Sequence, residues 1–225
     1  MSEEKGMAAE QQRASYAIWN DLFHEKVPFD FIDKVMKTII DCSQHQFQLL
    51  TKRPERAAII FNKPNPSAPK NIWLGVTCEN QEQANKRIPI LLQIPAVKRF
   101  VSIEPCLEDI IFKLFIQKGA EIIKEWRNQE LSELDISMRC QECVLTNRIR
   151  CEWTSKIDWV ILGCESGGNR RPCKLEWVES IVKQCKSAGV PVFVKQLEIE
   201  GKVEHNITKF PKHLQIREIP NVRRF

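Results

Sequence analysis

The sequence predicts an α/β protein, a partial (β/α) barrel of parallel strands carrying one insertion. Two observations lead there. Short apolar runs recur along the chain without regular polar alternation, as strands buried on both faces of a parallel sheet do. The stretches between them repeat apolar residues at helical spacing. Strands alternating with helices imply right-handed βαβ units.

The strand runs are FQLL (47–50), IWLGV (72–76), RFVSI (99–103), DWVILG (158–163) and VPVFV (190–194). Their centres fall near 49, 74, 100, 161 and 193, so three of the four gaps are about one βαβ unit long. The gap from 100 to 161 is about twice that, which predicts an insertion over roughly 109–157.

The helices follow in order. Over 28–41, Phe31, Ile32, Val35, Met36, Ile39 and Ile40 share one face, with Pro28 suited to a first turn. A short helix starts at Pro54. A third spans 79–88, where Pro89 is expected to stop or kink it. Over 174–188, Leu175, Val178, Ile181, Val182 and Cys185 line up ahead of Gly189, a good C-terminal stop. The organisation expected is a polar segment over 1–19 and a single domain over 20–225.

Composition narrows the function classes. The chain has 225 residues, 43% hydrophobic and 28% charged, which is globular composition and not that of a disordered chain. The net charge of +5 permits a polyanionic partner without demanding one. No run of about 18 apolar residues occurs, and the polar N-terminus lacks an apolar signal core, so a cytoplasmic protein with no membrane span is expected. Nine cysteines, an odd number, argue against a disulfide framework. Only eight glycines are present, and Gly163, Gly167 and Gly168 fall within six residues, which predicts unusual backbone there.

Parallel α/β folds bind ligands at the carboxyl ends of their strands. FQLL is followed by Thr51, Lys52 and Arg53, and IWLGV by Thr77, Cys78, Glu79 and Asn80. RFVSI leads to Glu104, and DWVILG to Cys164, Glu165, Ser166 and Gly167, with Arg170 and Arg171 close behind. VPVFV leads to Lys195 and Gln196. Water at strand ends would explain any one of these polar residues. Five in a row predict a ligand rim built from Lys52, Arg53, Glu79, Asn80, Glu104, Glu165, Ser166, Gly167, Arg171 and Lys195. In GCESGG, Glu165 suits an ammonium group and Arg171 a carboxylate or phosphate. The competing reading is a tight strand-to-helix turn with Ser166 as cap.

Cys140 and Cys143, at CxxC spacing, with Cys151 could supply part of a zinc site. A fourth ligand is missing nearby, because His24, His45, His205 and His213 are all distant in sequence, so no bound metal is expected. His24 has no Ser or Cys tied to it by sequence and reads as structural. Arg148 and Arg150, and the terminal Arg223 and Arg224, stand in no longer basic run.

Taken together, DLFHEKVP (21–28), FQLLTKRPER (47–56), NIWLGVTCEN (71–80), FVSIEPCL (100–107), IDWVILGCESGGNRRP (157–172), QCKSAGVPVFVKQ (184–196) and FPKHLQIREIP (210–220) resemble the three-Cys-motif proteins. These form a phage- and prophage-borne family, a domain of unknown function. The resemblance spans nearly all of 20–220 except about 109–156. It implies a radical-SAM-like partial barrel, in which three thiolates hold a [4Fe–4S] cluster with one iron open to S-adenosylmethionine.

This chain departs from that pattern. No Cys-x3-Cys-x2-Cys is present, and the first strand with its cysteine loop is expected to be absent, so the fold reads as N-terminally truncated. GCESG stands where the family has GGESG, and Leu197-Glu198 where it has Trp-Gly. Cys42, Cys78, Cys106, Cys164, Cys173 and Cys185 are scattered among separate elements, though Cys78, Cys106 and Cys164 each follow a strand.

Three readings follow. The chain is a degenerate or truncated radical-SAM-like protein without its cluster, needing no cofactor and not cleaving S-adenosylmethionine. Alternatively it is a non-enzymatic module holding a nucleotide or nucleic acid at its rim, or a hydrolase or transferase using Glu104 and Glu165 as acid and base. The partner expected is a small molecule or nucleic acid.

Overall fold

The computed structural model describes residues 14–18, 20–62, 70–112 and 157–220. The central sheet contains β1 (Ser15–Ile18), β2 (Gln46–Thr51), β3 (Ile72–Thr77), β4 (Lys98–Ile103), β5 (Trp159–Gly163), β6 (Val192–Ile199) and β7 (Lys202–Glu204). The strands lie side by side in chain order. β1 to β6 pair in parallel, and β7 folds back antiparallel on β6. Six parallel strands in sequential order curl into a half-barrel.

The crossovers are α1 (Phe29–Asp41), α2 (Pro54–Phe61), α3 (Gln81–Gln93) and α4 (Leu175–Ser187). A right-handed crossover puts each helix on the outside of the curl. The main core lies between helices and sheet. Ile32, Met36 and Ile39 of α1, Ala57 and Ile60 of α2, Ile88 and Leu91 of α3, and Val178, Ile181 and Val182 of α4 pack there. They meet Leu49, Leu74, Val76, Val101, Ile103, Val160, Leu162, Val192 and Val194 from the strands. Burying some forty apolar side chains in one cluster is the main stabilising term.

The inner face carries a separate cluster. Trp73, Phe100 and Trp159 are buried together, with Leu50, Ile161 and Phe193 against them. Trp159 meets Trp73 edge-on at 5.8 Å and Phe193 at 6.1 Å. Gly75 is required here, because a Cβ at that position would stand 2.4 Å from the Phe100 ring.

Four features depart from the sequence reading. β1 is an additional strand inside the segment read as polar, ahead of the DLFH motif. It pairs with β2 from Ser15↔Gln46 to Ile18↔Leu49. Four residues with a single β-branched side chain give too little pattern to find; the ladder to β2 makes the strand. α3 continues through Pro89 to Gln93, because Ile88, Leu91, Leu92 and Ile94 are all buried and hold the second half in place. Phe31 and Ile40, expected on the buried face of α1, are exposed. β6 runs on to Ile199, extended by its hairpin with β7, so Lys195 and Gln196 lie within the strand rather than after it. Most of the expected insertion over 109–157, and Arg223 and Arg224, lie outside the described residues.

β6 is covered along its free side. β7 takes the Leu197–Ile199 end. Ile216, Arg217 and Glu218 run along the other end, with Val194 N–H donating to Ile216 O and Glu218 N–H to Val192 O. The Trp159 indole N–H donates to Glu218 O at 2.8 Å, which ties this strap to the aromatic cluster.

Candidate functional site: the strand-end rim

The two-residue period of a strand decides which side chains face inward. Trp73 and Gly75 on β3 face the interior, as do Phe100 on β4, Trp159 and Ile161 on β5 and Phe193 on β6. Thr77 and Ser102 are register partners and continue the inward rows. Stepping on by two gives Lys52, Glu79, Glu104, Glu165 and Lys195. Aromatic residues therefore fill the lower interior, and charge begins where the strands end.

The β1/β2 corner is built on Asp21. Its Oδ1 accepts the Phe23 N–H at 3.0 Å and the Thr51 hydroxyl at 2.7 Å. Its Oδ2 accepts the Lys52 N–H at 3.1 Å and an Arg53 N–H at 2.8 Å. Arg53 also donates to Glu25 at 2.6 Å, and this bond holds the Glu25 carboxyl down at about 2. The motif's Phe23 is fully buried and packs at a tilt against Phe61. DLFH and LTKRP are thus two halves of one staple. Within it, His24 Nδ1 accepts the Lys26 N–H, a structural bond.

Lys52 reaches forward to Glu79 at 2.5 Å, and Arg87 of α3 grips the same carboxylate at 2.8 Å while donating to Thr77 O at 2.6 Å. Burial pulls the Glu79 carboxyl up. Bonds from Lys52 and its own N–H, with the Lys52 and Arg87 charges, outweigh that and hold it below the usual carboxylate range. Glu165 and Arg171 form a closed pair: Nη2 to Oε1 at 2.9 Å, with Nε at 3.0 Å and the Arg171 N–H at 2.8 Å on Oε2. These bonds lower the Glu165 carboxyl to about 2.

Glu104 differs from these. Lys195 Nζ donates to its Oε1 at 2.7 Å and Gln196 Nε2 donates to the same oxygen at 3.2 Å. Among the described residues, nothing donates to Oε2. The carboxylate lies over Gly163, where a Cβ would stand 3.3 Å from both its Cδ and Cγ. A side chain at Gly163 would crowd the Glu104 carboxylate. Gln196 also donates to Cys164 O at 2.7 Å and is fixed on both sides.

The structure therefore joins Lys52 to Glu79, Glu104 to Lys195, and Glu165 to Arg171. Arg53 belongs to the Asp21 staple. The Asn80 side chain accepts the Gln83 N–H as N-cap of α3. Ser166 and Gly167 lie in an exposed turn, Gly167 at φ 115°. Arg170 fixes that turn to the β6–β7 hairpin by donating to Gly167 O and Gly201 O. The sequence reading missed Asp21 and Arg87. An acidic residue placed by DLFH opposite a TKR corner was a usable signal for Asp21; an arginine inside a helix gave none for Arg87.

A [4Fe–4S] cluster needs three thiolates on converging ligands. The described cysteines offer no such set. Among the described residues, no group of three or more His, Cys, Asp or Glu could hold a metal ion. Cys78, Cys106 and Cys164 follow strands as expected, but they are fully buried in the cluster on the helix side. Burial pushes the Cys78 thiol up to about 12 and the Cys164 thiol up to about 11. Cys140, Cys143 and Cys151 lie outside the described residues. No described helix is long and apolar enough to cross a membrane.

Fold and rim define a half-barrel α/β protein whose strand ends carry paired charges, with Glu104 held through one carboxylate oxygen. Residues 4–219 match the family described as "Protein of unknown function (DUF5131)". The chain belongs to that family. No curated protein matches it. No solved structure matches it either.

Proposed function

We propose that this chain binds a small zwitterionic ligand at the rim and does not cleave it. In this reading it is a degenerate, radical-SAM-like relative of the phage three-Cys-motif proteins, and an S-adenosylmethionine-type molecule is the ligand class. The single observation carrying the reading is Glu104. Its Oε1 is held by Lys195 and Gln196 while Oε2 is left for a further donor. A ligand ammonium group would bond Oε2, and a ligand carboxylate would draw Lys195 from Oε1. An amino-acid moiety carries both groups at the right separation for adjacent partners.

A nucleic acid is the weaker candidate for this site. The rim's cations, Lys52, Arg53, Arg87, Arg171 and Lys195, are matched by Asp21, Glu25, Glu79, Glu104 and Glu165. A balanced surface gives little counterion release to drive phosphate binding. Calorimetric titration with S-adenosylmethionine and, separately, with a single-stranded oligonucleotide tests the choice. Saturable one-to-one binding of the first alone is expected; binding of the oligonucleotide alone would overturn the reading. Anaerobic treatment with iron and sulfide is expected to yield no 5′-deoxyadenosine above a cluster-free control.

A further inference from the structure

The strap along the free side of β6 carries a cation onto the inner face of the sheet. Val194 N–H donates to Ile216 O and Glu218 N–H to Val192 O, which sets Phe193 opposite Arg217 as an antiparallel pair. The ladder bonds fall on the flanking residues and not on this pair, the arrangement in which opposed side chains share one face and stand closest. Phe193 packs on the inner aromatic cluster. Arg217 therefore lies on that face too, and its guanidinium carbon stands 5.5 Å from the centre of the Phe193 ring.

The guanidinium is held at two further points. Nη2 donates to Lys195 O at 3.3 Å and to His205 O at 3.0 Å. Both acceptors are neutral carbonyls. An arginine has five N–H donors and two are engaged here, so three remain. Lys52, Arg53, Arg87, Arg171 and Lys195 each bond a carboxylate. Among the described residues, no carboxylate pairs with Arg217. Arg170 also donates only to carbonyls, but at Gly167 and Gly201, on the hairpin tip. Arg217 is exposed, so a ligand can reach it. A guanidinium already fixed by a ring and two carbonyls meets an anion with little further loss of side-chain freedom.

We infer that Arg217 receives the ligand's carboxylate and makes the rim selective for an α-amino acid over the corresponding amine. This deepens the ligand reading above and rests on it. Glu104 Oε2 takes the ammonium group. One carboxylate oxygen takes the Lys195 ammonium, and the other takes the free N–H groups of Arg217, whose Nη2 is bonded to the Lys195 carbonyl. An amine without the carboxylate leaves Arg217 with its present bonds and gains nothing from it. The strap is then part of the ligand site as well as cover for a strand edge.

The test is calorimetry on the full chain with S-adenosylmethionine and with its decarboxylated analogue, which keeps the ammonium group and lacks only the carboxylate. The wild type is expected to prefer the first at least tenfold. Arg217→Gln is expected to bind both alike, at the wild type's affinity for the analogue, and Arg217→Lys to recover part of the preference. Lys202→Gln removes the same charge from exposed β7 and is expected to keep the preference whole. Undiminished preference in Arg217→Gln, or equal affinity of the wild type for the two ligands, would overturn the inference. So would an equal loss of affinity for both ligands in Arg217→Gln, which would make Arg217 a clamp on the strap alone. A second readout needs no S-adenosylmethionine: acetate titrated into the wild type, followed by NMR at the arginine Nε–H signal that Arg217→Gln deletes. A saturable shift is expected there, with the Arg170 signal unmoved, and no shift would overturn the inference. Should the wild type bind no S-adenosylmethionine yet show the acetate shift, the ligand reading fails and the anion site at Arg217 stands.

Discussion

Two carboxylates stand at the ends of this half-barrel and are used in opposite ways. Asp21, at the β1/β2 corner, has both oxygens occupied, each by two donors, and every donor comes from the chain itself. Glu104, at the β4/β6 corner, receives both of its donors on one oxygen. The first arrangement holds a fold together. The second leaves bonding capacity at the mouth of the barrel, where parallel α/β proteins bind their ligands. How completely a carboxylate is used separates a staple from a site more sharply than its position after a strand.

Breaking the staple has the largest expected effect. Asp21→Ala removes the acceptor for four donors and leaves Arg53 with Glu25 alone. A loss of about 2–3 kcal/mol is expected by urea unfolding, because part-buried donors, the Thr51 hydroxyl and the Phe23 N–H among them, lose their acceptor. The aromatic floor is next. Gly75→Ala places a methyl group against the Phe100 ring, which Trp159 backs. About 1–3 kcal/mol of overpacking cost is expected in the same measurement.

Glu104→Gln sharpens the contrast from the other side. The pair with Lys195 is part-exposed, so stability is expected to change by less than about 1 kcal/mol. A stability loss as large as that of Asp21→Ala would make Glu104 a second staple.

The smallest effect concerns pH at the closed pair. Glu165 is lowered to about 2 from an ordinary 4.5 by the bonds from Arg171. Its contribution to stability is therefore present in full above the unfolded value and is lost as pH falls from about 4.5 toward 2. Carboxyl titration by NMR is expected to place its midpoint near 2, and Arg171→Ala is expected to return it toward 4.5. A midpoint near 4.5 in the wild-type chain would show that the pair does not hold in solution.

Much of the layout was legible because buried parallel strands leave an unambiguous trace. IWLGV and WVILG are apolar throughout, since helices cover one face and aromatic neighbours the other. The residues following them sit at the rim for the same geometric reason. β1 was illegible because SYAI owes its extended form to the ladder with β2. Asn80, just past β3, was equally well placed to cap the next helix, which is the bond it makes. The difference between Asp21 and Glu104 could not be read at all, since it depends on which donors the fold brings to each oxygen. Lys195 was identified on the premise that the strand had ended at Val194, and the hairpin with β7 carries that strand five residues further.

The most direct test of the account is the affinity of Glu104→Gln for S-adenosylmethionine, measured by calorimetry beside the wild-type chain, with both melted under the same conditions. The account predicts one-to-one binding to the wild type, at least tenfold weakening in the variant, and nearly equal melting temperatures. Equal affinity in the two proteins, or no saturable binding to the wild type, would contradict it.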